Sequence, residues 1–138
     1  IVFSKKIDVK FTAIDWNIFF KDLIEGLRRA YVDRDLKVFM SYIDTEEYIL
    51  RGRFQSNIEK TFAENSLISL SVTVNKVELS SDKCSVDIDW YRTFEDDSVQ
   101  SGQGTVINFA EKENGWKIVS ISDEGVFVIG SGTVNFFY

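Results

Sequence analysis

Trp90 and Arg92 close the alternating run CSVDIDWYR at residues 84–92. Two residues apart on a strand, an indole and a guanidinium share one face. Tyr31 and Tyr42, in helical segments earlier in the chain, could bring phenol groups to the same place. Stacking on an indole plus one charge-assisted hydrogen bond suits a flat, partly apolar molecule carrying an anionic or carbonyl group. Replacing Arg92 by Ala is then expected to weaken binding roughly tenfold or more. The same four residues also suit a packed core with satisfied polar tips, Arg92 laying its stem on apolar surface and its head in water.

Other chemistries are narrowed by what the chain lacks. It contains no histidine, which removes Ser-His-Asp and Cys-His catalysis, histidine bases and histidine metal ligands together. Cys84 is its only cysteine, so no internal disulfide or cysteine-based zinc site can form. Falling on the apolar side of its strand, the Cys84 thiol is expected to be buried and unreactive. Asp87 and Asp89 alternate against Val86, Ile88 and Trp90, which marks a solvated face rather than a cation site. Glu46–Glu47 and Asp96–Asp97 read as exposed loop charges. The glycine pairs in GQG (102–104) and GSG (130–132) are too short for a phosphate cradle, and no helix follows them. RGR at 51–53 could meet an anion but reads as the loop leading into a helix. A catalytic metal, a covalent nucleophile and a cofactor are therefore not expected.

The elements that must position these residues can be read from periodicity. From Asp15, a candidate cap, to Tyr31 the apolar residues Phe19, Leu23, Leu27, Ala30 and Tyr31 recur at helical spacing. Leu36, Phe39, Met40 and Ile43 mark a short second helix, and Phe54, Ile58 and Phe62 a third over 53–64. After Asn65 the period becomes two, and strands are expected at 68–79, 84–92, about 103–111 and 115–122. Proline is absent, so turns fall to SSDK (80–83), EDDSVQSG (95–102) and ENG (113–115). Apolar positions are even before Asn75 and odd at Val77 and Leu79. Pairing outward from the SSDK turn sets Leu79 opposite Cys84 and Val77 opposite Val86. Only a bulge at Asn75–Lys76 then brings Val74 opposite Ile88 and Val72 opposite Trp90 on that same face. Such a bulge bends a sheet. The predicted fold is α+β: N-terminal helices packed on a strongly bent antiparallel sheet, a cone.

The stretches LIEGLRRAYVDRDLKVFMSYID and GRFQSNIEKTFAE, with strands closing on NGWKIVSIS, resemble the nuclear-transport-factor-2-like superfamily, also called cystatin-like or SnoaL-like. The likeness covers about residues 16–123 of one domain spanning 1–138, and implies the cone. It also implies a range of functions, from isomerases, dehydratases and cyclases to ligand-binding or accessory domains. Members using a His–Asp dyad cannot be models for this chain. The Asp, Tyr and protonated-Asp roles of the ketosteroid-isomerase type find no matching positions here.

A non-catalytic binding or interaction domain is the expected function. The alternative is a small isomerase, dehydratase or cyclase using carboxylate or tyrosine chemistry in the cone. A net charge of −6 argues against nucleic acid as a partner. No apolar stretch reaches the eighteen or so residues of a membrane span. Ile107 and Phe109 against Val106 and Ala110, with Trp116 and Ile118 against Val119 and Ile121, read as strands apolar on both faces. A homodimer through strands 103–111 and 115–122 would cover the outer side. Residues 1–14 and 126–138 are expected to add edge strands. A first residue of Ile rather than Met suggests a removed export signal or a longer parent chain.

Overall fold

A computed structural model describes residues 14–64 and 67–129. Helices α1 (Trp16–Val32), α2 (Leu36–Ser41) and α3 (Arg51–Glu64) precede strands β1 (Leu67–Ser80), β2 (Lys83–Phe94), β3 (Val99–Lys112) and β4 (Gly115–Ile121). The strands form one antiparallel sheet in the order β1-β2-β3-β4, and the helices pack on its concave face. A 3-10 turn, Glu124–Val126, follows the last strand. The segments expected to add edge strands at 1–13 and 130–138 lie outside the described residues. Residues 126–129, expected in the same role, form no strand; they complete the 3-10 turn and run on irregularly.

α1 begins as its sequence implies, with the Asp15 carboxylate accepting from the amides of Asn17 and Ile18 at 3.0 and 3.2 Å. Its buried face is turned slightly from the expected one. Phe20 and Ile24 are buried with Leu27, Ala30 and Tyr31, whereas Phe19 and Leu23 are half-buried. The reason is an aromatic cluster at this end: Phe20 packs on Phe109 and Trp116 at 5.3 and 5.2 Å, and draws the helix round. The second helix stops at Ser41. Ile43 instead forms a parallel bridge to Ile118, which covers the middle of β4's free edge. The RGR stretch is not a loop: Arg51, Gly52 and Arg53 form the first turn of α3.

The β1–β2 pairing follows the bulge argument. Leu79 faces Cys84, Val77 faces Val86, Val74 faces Ile88 and Val72 faces Trp90, with the register shifting between Val74 and Lys76. Besides a register shift near the start of β1, between Leu67 and Ser69, two further bulges bend the sheet. Between Ile88 and Trp90, the single residue Asp89 spans Gln103 and Gly104, and its carboxylate takes the Gly104 amide at 3.0 Å. Between Asn108 and Phe109, Val119 is the extra residue on β4.

That third bulge corrects the expected faces of β4. Ile107 pairs with Ile121 and Phe109 with Ile118, so Ile118 and Ile121 both lie on the core side and both are buried. The outer face is correspondingly polar. Ser85 donates to Asn108 at 2.7 Å, and Asn108 donates to Ser120 at 2.8 Å, forming a ladder across three strands. Cys84 is buried, and burial pushes its thiol pKa up to about 11.

Gly102 shows how tightly β2 and β3 approach. It sits opposite Trp90, and a Cβ there would stand 2.5 Å from the indole Nε1. The stretch GQG thus serves packing and bending. Gly102→Ala is expected to destabilise the fold by about 1–3 kcal/mol, measured as a lower urea midpoint at unchanged slope. Gly52→Ala, where a Cβ meets open space, is the matched control.

Candidate functional site

The bend brings the inner face of β2 over the C-terminal half of α1, and there three of the four candidate residues meet. The Arg92 guanidinium lies over the Trp90 ring at 4.7 Å from its centroid. Trp90 is held by Thr105, whose hydroxyl accepts from the indole N–H at 3.2 Å. Tyr31 is fully buried, 5.9 Å from the Phe39 ring and 5.3 Å from the Phe127 ring. Tyr42 is not brought in. Its hydroxyl packs on Gly26, and its carbonyl accepts from the Ile118 amide at 2.8 Å.

Arg92 is only 1% exposed, so its head does not reach water. Among the described residues no carboxylate forms an ion pair with it. Neutral oxygens surround it instead. The Gln100 amide oxygen accepts from Nε at 3.1 Å and from Nη2 at 2.5 Å. The Gly125 carbonyl accepts from Nη2 at 2.9 Å, and the Val126 carbonyl from Nη1 at 2.6 Å. Burial draws the guanidinium pKa down, but an arginine remains charged at any ordinary pH.

The Tyr31 hydroxyl has no hydrogen-bond partner although it is buried. Burial raises its pKa to about 12, against an opposing pull from the nearby Arg92 charge. Arg92 stands close enough to donate toward the phenol oxygen, though outside normal hydrogen-bond geometry. A buried phenol whose proton has no acceptor, beside a guanidinium with no carboxylate in contact, is an unfinished polar centre.

Sequence reasoning missed the segment that faces this centre. After β4 the chain crosses the wide end of the cone: the Tyr48 hydroxyl donates to Glu124 at 2.5 Å, and the Ile129 amide donates to the Thr61 hydroxyl at 3.0 Å. Burial first, and Glu124 second, hold the Tyr48 phenol well above its usual range. Phe127 fills the space between Tyr31 and Phe39. Where an open mouth was expected, this segment stands. The one legible signal is the apolar run VFVI at 126–129, whose composition suits a strand.

Elsewhere, a surface cleft of about 880 Å³ lies between α2, the loop before α3 and the β3–β4 hairpin. Lys37, Arg51 and Lys117 face Asp44, Glu46 and Glu113 across it, and none of its lining residues touches Arg92. The Arg51 Nε is buried there without a partner. Asp87 and Asp89 are engaged within the sheet, Asp87 by Asn75 at 3.3 Å and Asp89 by Gly104. Among the described residues no group of three or more His, Cys, Asp or Glu could hold a metal ion. No helix among them is long and apolar enough to cross a membrane.

Sequence comparison finds no matching family model and no matching curated protein. Structural comparison is decisive for the fold. An NTF2-like protein of unknown function from Shewanella oneidensis MR-1 superposes with a TM-score of 0.65 at 17% identity, over 74% of this chain and 93% of that one. An NTF2-like protein from Cytophaga hutchinsonii gives 0.62 at 8% identity, over 78% and 96%. A conserved protein from Planctomyces limnophilus gives 0.61 at 14%, over 78% and 93%. The chain has the NTF2-like fold. At these identities the likeness establishes architecture, and function has to be argued from the site.

Two substitutions at this centre should behave oppositely. Arg92→Met leaves two buried carbonyls without donors and is expected to cost roughly 2–4 kcal/mol. Tyr31→Phe removes a hydroxyl that makes no hydrogen bond of normal geometry and should change stability by less than about 0.5 kcal/mol, or raise it. Urea denaturation of both variants checks this.

Proposed function

We propose that this protein is a non-catalytic binding domain whose cone holds a small molecule at Trp90, Arg92 and Tyr31. The observation that carries the reading is the pairing of a buried guanidinium with no carboxylate in contact among the described residues and a buried phenol whose proton has no acceptor. Both would be completed by one oxygen-bearing group, a carboxylate or a carbonyl, and Trp90 supplies a surface for a flat body beside it. Carboxylates that an isomerase, dehydratase or cyclase would need are occupied in structural roles. Asp44 accepts the amides of Glu46 and Glu47 at 3.1 and 2.6 Å, and Glu124 accepts from Tyr48. This favours binding over catalysis.

For a ligand found by thermal-shift screening, Tyr31→Phe should weaken affinity by about fivefold, the worth of one ordinary hydrogen bond, while leaving stability unchanged. Calorimetric titration measures it. Equal affinities in the two proteins would remove Tyr31 from the site.

The association state we propose is a homodimer through the outer face of β3 and β4. Support comes from the Ser85–Asn108–Ser120 ladder, whose polar groups satisfy one another and can be covered without loss. Val106 lies on the same face, and exposed Tyr91 and Val99 extend it. Sedimentation equilibrium should give a dimer, and Val106→Glu a monomer. A native protein that stays monomeric at high concentration overturns this.

A further inference from the structure

Residues 123–129 have the construction of a detachable piece. Their internal bonds are local: Gly125 donates to Asp123 at 2.8 Å, and Phe127 and Val128 donate to the Glu124 carbonyl at 2.9 and 2.8 Å. All of these survive if the segment moves as a unit. Ser122 is still tied to β3, its amide donating to the Val106 carbonyl at 2.9 Å and its hydroxyl accepting from the Val106 amide at 2.8 Å; beyond it, the hydrogen bonds between segment and body among the described residues involve a body side chain. They are Arg92 to Gly125 and Val126, Tyr48 to Glu124, and Thr61 to Ile129. The side chains of Val126 and Phe127, both buried in the core cluster, complete the attachment. No strand pairing has to break for residues 123–129 to lift, so what opposes the motion is this burial and a few side-chain hydrogen bonds.

What it covers is equally specific. Its two carbonyls occupy Arg92, and neutral carbonyls lack the opposite charge and the paired oxygens with which a carboxylate binds a guanidinium. Its ring occupies the space lined by Tyr31 and Phe39. Carbonyl and ring together are the two parts of a ligand, presented by the chain itself.

We propose that residues 123–129 are an internal occupant of the Trp90–Arg92–Tyr31 site, and that an aryl-alkyl carboxylate enters by displacing them. The inference rests on the binding reading given above and adds the ligand class and the gate. The carboxylate takes Arg92 from Gly125 and Val126, with Tyr31 donating its idle hydroxyl proton to it, and the aryl group takes the place of Phe127. The spacer is set by covalent structure. Between the Val126 carbonyl carbon and the Phe127 ring stand the atoms N, Cα and Cβ, and 4-phenylbutanoate has a methylene for each.

The test uses 4-phenylbutanoate and its neutral amide as probes, by calorimetry with hydrogen exchange followed in parallel. Tyr48→Phe unties Glu124 without touching Arg92, and Glu124→Gln weakens the same bond should the first variant fold poorly. Loosening the segment should tighten 4-phenylbutanoate binding by roughly tenfold relative to the native protein. The amide should bind at least about tenfold more weakly than the acid. On saturation, the amides of residues 125–129 should exchange faster while those of β2 stay protected. If the acid binds native and Tyr48→Phe proteins equally, or if those amides keep their protection when it binds, the displacement is wrong and the binding site stands. If the acid binds neither protein nor the Glu124→Gln variant, both the displacement and the site reading fall.

Discussion

A buried guanidinium with no carboxylate in contact must be wrapped in neutral acceptors, and at Arg92 it is wrapped. The cost of burying an uncompensated charge is large. It is met here by the Gln100 amide oxygen, two backbone carbonyls and the face of Trp90. Each acceptor fixes part of the molecule. Gln100 ties the start of β3 to β2. Gly125 and Val126 hold the segment after β4 across the cone, and with it Phe127, whose ring joins Tyr31 and Phe39 into the core. The wide end of this protein is closed because one side chain needs oxygens.

Arg92 can reach those oxygens only because the sheet is bent. Each strand pairing carries a register shift, at Asn75 on β1, at Gln103–Gly104 on β3 and at Val119 on β4. Each extra residue adds local twist and curls the sheet toward the helices. The freed polar groups are met nearby: Asp89 takes the Gly104 amide, and the hydroxyl of Ser122 takes the Val106 amide. Gly102, bare beneath the Trp90 ring, lets the indole lie flat where any side chain would lift it. Packing and bending therefore set the position of the polar centre as firmly as its own hydrogen bonds do.

The centre is polar in an unbalanced way, with good donors and poor acceptors. Donors outnumbering acceptors at a buried position are what an oxyanion or carbonyl ligand would complete. No comparable imbalance is found in the carboxylates, which are engaged in turns and at a bulge. The NTF2-like fold accommodates many functions, and in this chain the site itself favours retention of a ligand over its conversion.

Much of this was legible in the residues. The parity change across Asn75 gave the first bulge and its pairs, and the Asp15 cap gave the start of α1, because strand faces and helix ends are governed by neighbours in sequence. Trp90 and Arg92 on one inward face followed from alternation alone. The second and third bulges were not legible, since Gln103–Gly104 and Val119 disturb no alternation that lacks another reading. With them went the face of Ile121. Nor was the role of VFVI at 126–129: an apolar run of that length suits a strand or a plug equally. The sequence by itself determined the elements, the bent sheet and the burial of Cys84, all consequences of local period. Only the tertiary structure decided that the Arg92 head stays buried instead of reaching water, that Tyr42 stays apart from it and that Phe127 fills the cone. Those depend on which oxygens and which hollow lie within reach across the chain, and no local pattern encodes that distance.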